Sequence, residues 1–85
     1  MKFEFSKHAI EQMEIRKISK DFVEKILEQP EQISDKKETK VYQSRVTEGN
    51  KTYLIRVFVN ILKSPNLVVT AYKTSNIKKY YENKI

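Results

Sequence analysis

The sequence predicts an α+β domain in which two N-terminal helices pack on a four-stranded antiparallel sheet. Two serine-led amphipathic runs precede Pro30, and beyond it the apolar period falls from about 3.6 to 2. The alternating runs that follow are joined by links too short for crossovers, so they must pair as antiparallel neighbours. The chain has 85 residues, which makes a single domain over 1–85 with one two-layer core.

The elements follow in order. Residues 1–5 alternate apolar and polar and read as a short extended arm. Ser6 is a good N-cap, and residues 7–17 form a first helix. Ser19 caps a second, with Phe22, Val23, Ile26 and Leu27 on one apolar face and Pro30 preventing extension beyond Gln29. Residues 31–38 make a weak, polar edge strand, 40–47 a second strand, 51–62 a long third and 67–74 a fourth. Gly49 and Asn50 suit a two-residue hairpin, Lys63 to Asn66 form a turn cluster, and residues 76–83 add a short C-terminal helix.

Register follows from parity. Tyr53, Ile55, Val57, Val59 and Ile61 are all apolar, so the odd face of the third strand is core. Leu67, Val69 and Ala71 form the matching set in the fourth. These choices pair Ile61 with Leu67, Phe58 with Thr70 and Arg56 with Tyr72, while the hairpin pairs Glu48 with Lys51 and so Gln43 with Arg56. Gln43, Arg45, Arg56, Thr70 and Tyr72 then share the sheet face that the core leaves free.

Charge is divided unevenly along the chain. Residues 1–35 carry six Lys or Arg against eight Asp or Glu, and residues 36–85 carry eleven against three, for a total of +6. The second half therefore holds the whole positive field, as in a polyanion binder, unless the lysines serve only solubility. The absence of cysteine excludes a disulfide framework, a thiolate nucleophile and a thiolate zinc site, and fits a reducing cytosol. No apolar run is long enough for a membrane span, so the expectation is a soluble cytoplasmic protein with no membrane partner.

Few residues carry chemistry. Arg45 and Arg56 suit bidentate phosphate recognition, or else cover a solvated face. His8, the single histidine, starts a stripe with Gln12 and Arg16 on the first helix; it is a candidate general acid or base, or ordinary helix surface. Lys78, Lys79, Tyr80 and Tyr81 form either a helix packing one tyrosine on the core or a basic and aromatic patch for stacking on bases. With no metal-ligand spacing, phosphate-binding glycine loop or nucleophile elbow, catalysis should need neither metal nor small-molecule cofactor.

Residues 8–19, HAIEQMEIRKIS, resemble the N-terminal signature of a group of small bacterial and phage domains of unknown function, HA and a polar residue followed by R-M-x-x-R-x-I-S. Residues 67–72, LVVTAY, resemble that group's closing strand. The group is placed in the superfamily of barnase, EndoU, the colicin tRNases and RelE. The resemblance covers nearly the whole chain and implies a RelE-like fold. It also implies a metal-independent endoribonuclease, a toxin with an antitoxin partner, that cleaves RNA by attack of the ribose 2′-OH on the phosphate. His8 and Arg16 match its helix motif, Arg56 the basic position of its central strand, and Thr70 and Tyr72 its last strand. Gln12 departs from the arginine often found there. The expected catalytic set is His8, Arg56, Thr70 and Tyr72, with Arg16, Arg45, Lys73, Lys78 and Lys79 binding RNA phosphates. A non-catalytic module binding RNA or protein through the same basic face is the alternative.

Overall fold

The computed structural model describes residues 3–81. It is α+β: β1 (Phe3–Phe5), α1 (Lys7–Ile15), α2 (Lys20–Glu28), β2 (Gln32–Lys36), β3 (Thr39–Glu48), β4 (Lys51–Asn60), β5 (Asn66–Thr74) and α3 (Ile77–Tyr80). The predicted C-terminal helix is one turn long where described, and its end at 83 falls outside the described residues. Among these no helix is long and apolar enough to cross a membrane.

Both main helices start where the sequence places a cap. The Ser6 hydroxyl accepts from the Ala9 N–H at 3.0 Å, and the Ser19 hydroxyl from the Phe22 N–H at 3.1 Å. The end of α1 comes earlier than predicted, because residues 16–18 close it in a Schellman turn. Ile18 N–H donates to the Met13 carbonyl at 2.8 Å and Lys17 N–H to that of Glu14 at 3.2 Å. Ile18 and Met13 then meet in the core.

The sheet departs from four antiparallel strands. It has five, in the order β1-β5-β4-β3-β2, and β1 runs parallel to β5. The N-terminal arm is extended as its alternation predicts, but its pairing with the last strand of the chain leaves no local mark. The β3–β4 register agrees with the hairpin prediction, Glu48 opposite Lys51 and Gln43 opposite Arg56, around Gly49 at φ 61°. Between β4 and β5, Phe58–Thr70 and Arg56–Tyr72 pair as parity requires. A bulge between Phe58 and Val59 then shifts the register, so Val59 meets Val68, and Asn60 rather than Ile61 meets Leu67. The core residue of this stretch is therefore the fully buried Val68, not Val69 or Leu67.

α1 and α2 cover one face of the sheet. Ala9, Met13, Val23, Ile26 and Leu27 pack there on Tyr42, Ile55, Val57, Val59, Val68 and Ala71. The outer edge of β5 beyond β1 is closed by α1. Ser6 N–H donates to the Val68 carbonyl at 2.9 Å, and Arg16 Nη1 to the Ala71 carbonyl at 2.8 Å. These bonds satisfy carbonyls that would otherwise template another chain.

The opposite face is not free, which corrects the expectation. Val41, Gln43 and Leu54 are fully buried there, and Arg56 is 5% exposed. The segment that begins α3 turns back from Thr74 and lays Tyr80 and Tyr81 across this face.

Candidate functional site

The site is built around Arg56, in the middle of the sheet. Strands β3, β4 and β5 place Gln43, Arg56 and Tyr72 in one row across the sheet. Arg56 Nε donates to Gln43 Oε1 at 3.0 Å, and Nη1 to the Tyr72 hydroxyl at 2.8 Å. Aromatic rings surround the guanidinium, with Tyr80 at 4.3 Å, Phe58 at 5.3 Å and Tyr72 at 5.8 Å from centroid to Cζ.

Gln43 is the hinge of this network. Its oxygen takes the Arg56 bond, while Nε2 donates to Gln32 Oε1 at 2.8 Å and to the main-chain carbonyl of Tyr80 at 3.1 Å. No buried side-chain nitrogen or oxygen among the described residues lacks a partner. Arg56 Nη2 has no hydrogen-bond acceptor among the described residues. No carboxylate pairs with Arg56 either: the ion pairs of the described residues are Arg45–Glu31 and Lys73–Glu48. A buried cation with neutral partners alone is costly, and an anion would offset that cost.

The Tyr80 phenol is tuned by these neighbours. The Tyr80 hydroxyl is held below the usual phenol range, first by a hydrogen bond from Tyr72 and then by the Lys79 and Arg56 charges, against burial that pushes it up. Tyr72 contacts both groups, its hydroxyl accepting from Arg56 and its ring lying 6.3 Å from that of Tyr80.

The remaining sequence-predicted residues divide into two groups. Thr70 shares the Arg56 face, opposite Phe58. Arg45 is on the same face, but its Nε donates to Glu31 at 3.0 Å and its guanidinium lies 4.6 Å from the Tyr81 ring. Partial burial raises the Glu31 carboxyl, yet it falls below its usual range because the backbone N–H and guanidinium of Arg45, and the Tyr81 hydroxyl, all bond it. Lys78 and Lys79 ride on α3, with the Lys79 ammonium 5.3 Å from the Tyr80 ring.

His8, Arg16 and Lys73 are not brought to Arg56. His8 is exposed in the first turn of α1, which packs in the opposite layer, and Arg16 is tied to the β5 edge. Lys73 points to the helix side, where it bonds Glu48 at 2.9 Å and lies 5.1 Å from the Tyr53 ring. Parity alone separates Lys73 from Tyr72, since adjacent strand residues face opposite ways. Sequence reasoning placed Gln43 and Phe58 on this face without giving them a part in the site, and left Tyr80 undecided between core and patch. Among the described residues no three His, Cys, Asp or Glu side chains gather to hold a metal.

Neither curated proteins nor solved structures yield a match to this chain. A family described as Domain of unknown function (DUF4258) matches residues 5–73, from the end of β1 almost to the end of β5 and including Arg56 and Tyr72 but not α3. The chain belongs to that family of domains of unknown function.

Proposed function

We propose that this domain binds RNA through the Arg56 face and cleaves it as a metal-independent endoribonuclease, in the manner of a RelE-like toxin with an antitoxin partner. The observation that carries the reading is Arg56 itself, a cation 5% exposed in the centre of a sheet with no carboxylate partner among the described residues. A phosphate oxygen supplies the missing negative charge, and guanidinium suits it better than an ammonium would.

The reaction moves charge towards that group. The ribose 2′-oxygen attacks the adjacent phosphorus and closes a 2′,3′-cyclic phosphate, while the bond to the 5′-oxygen breaks. One group takes the 2′ proton and another protonates the departing 5′-oxygen. Arg56 stabilises the negative charge on the phosphoryl oxygens, and Tyr72 and Thr70 position them. His8, in the other layer, serves as acid or base only at the β5 edge that its helix lines. That placement favours the second reading, a non-catalytic module binding RNA or a protein partner through the same face.

Incubating the pure protein with total RNA in EDTA, followed by mapping of the cleaved ends, separates the two. The enzyme leaves cyclic phosphates, and Arg56→Ala lowers the cleavage rate by about 10²–10³ while RNA affinity falls far less. His8→Ala lowers the rate by about 10²–10⁴ if His8 moves a proton. RNA that is bound but never cut, with or without ribosomes, assigns the domain to the binding module.

A further inference from the structure

We propose that α3 is a displaceable cover and that Tyr80 occupies a nucleobase subsite on the chain's own Arg56. The inference rests on reading Arg56 as a phosphate site and adds the group recognised beside the phosphate.

The Tyr80 ring lies 4.3 Å from the Arg56 guanidinium, which stacks on an aromatic face. A nucleobase presents the same kind of face, and guanidinium planes and aromatic rings are the usual platforms for unpaired bases. Phe58 and Tyr72 stand at the sides of the position, with Phe58 and Tyr72 rings 5.8 Å apart and Tyr72 and Tyr80 rings 6.3 Å apart. When Tyr80 leaves, Arg56, Phe58 and Tyr72 remain as a cationic and aromatic platform. The second tie of Tyr80 is equally exchangeable: Gln43 Nε2 donates to its main-chain carbonyl at 3.1 Å, and a base carbonyl offers the same acceptor.

The cover is weakly built. α3 is four residues long, and its N-cap Asn76 makes no side-chain capping bond. An isolated helix of one turn has no stability of its own, since nucleation costs more than one turn returns. Among the described residues it is held to the sheet by Tyr80 on Arg56, by the Gln43 bond to the Tyr80 carbonyl and by its C-cap Tyr81 under Arg45. Beneath it lie a fully buried glutamine and an arginine at 5% exposure, polar groups that ordinary folding places at a surface. The match to the family ends at residue 73, so the cover lies outside the matched domain while the platform lies within it.

The test reads Arg56 directly. Phenylglyoxal labelling of Arg56, followed by peptide mass spectrometry, is compared in wild type, Tyr80→Ala and Tyr80→Phe, alone and with uridine 3′-monophosphate or inorganic phosphate. The proposal expects Tyr80→Ala to label severalfold faster than wild type and Tyr80→Phe to label like wild type, because the ring makes the cover. In Tyr80→Ala, the nucleotide should protect Arg56 at lower concentration than phosphate does. Unchanged labelling in Tyr80→Ala overturns the cover. Equal protection by the two ligands overturns the base subsite. Faster labelling with protection by neither refutes the phosphate reading of Arg56, and the base subsite with it, while leaving the cover supported. If Tyr80→Ala loses its dispersed core resonances, Tyr80→Leu, which keeps apolar bulk without a ring face, takes its place under the same criteria.

Discussion

Arg56 shows how a nearly buried cation can gather polar and aromatic partners and, among the described residues, still leave its charge unmet. Gln43 and Tyr72 take two of its N–H groups, and three rings cover its faces, but all of these partners are neutral. Much of this was legible from parity: one register argument put Gln43, Arg56 and Tyr72 in a row, and the structure bonds them. Tyr80 was not legible, because its place depends on how a single turn docks rather than on any periodic pattern. The charge does leave a titratable trace on Tyr80. Hydrogen bonding from Tyr72 and the nearby Lys79 and Arg56 charges lower its phenol below the ordinary 10.0. A lowered acid favours the phenolate in the folded state. The resulting stability is fully present above the unfolded phenol's value and is lost as pH falls through the folded one. The ultraviolet phenolate absorbance of the five tyrosines should therefore show one early component. Tyr80→Phe should remove that component, and Tyr72→Phe, which lacks the donating hydroxyl, should move it up; an early component that survives Tyr80→Phe belongs to another tyrosine.

At the scale of the elements, Gly49 and Lys17 share a left-handed conformation with Lys37 and differ in their suitability for it. Gly49 sits at φ 61° in the β3–β4 hairpin, and Lys17 at φ 56° in the Schellman turn that ends α1. An L-residue loses about 1–2 kcal/mol in the left-handed region, and glycine returns about 0.4–1 kcal/mol of that through its freer unfolded chain. Lys17→Gly should stabilise the domain by about 1 kcal/mol, and Gly49→Ala should destabilise it by a similar amount. Urea midpoints at unchanged slope would measure both. The helix starts were legible because Ser6 and Ser19 cap through their own side chains. The end of α1 was less so, since a lysine stands where the turn favours glycine. The β5 bulge was hidden for a related reason: Leu67, Val68 and Val69 are all apolar, so strict alternation could not show which of them the bulge turns to the core. The β1–β5 pairing joins the two ends of the described sheet sequence, and no local spacing reports it.

Across the whole molecule, the uneven charge along the chain becomes an uneven distribution in space. Glu4, Glu24 and Glu28 from the acidic first half gather around Phe3, Phe5, Leu27 and Pro65, at a cleft between β1 and α2. The Arg56 face carries cations of the second half, but not all are available. Arg45 is paired with Glu31 there, and Lys73 is paired with Glu48 on the other side. Arg56, Lys78 and Lys79 are left to meet phosphates. Three phosphate contacts on single-stranded RNA give a slope of log affinity against log salt of about −2, at roughly 0.7 per contact. Affinity should then fall on the order of twentyfold between 50 and 200 mM salt. Fluorescence anisotropy with a labelled oligoribonucleotide measures the slope. Replacing Lys78 and Lys79 together by alanine should make it shallower by about 1.4, with weaker binding to every sequence alike. A much steeper wild-type slope would mean that the lysines outside this face also touch RNA, and a flat one would remove nucleic acid as the ligand of the Arg56 face.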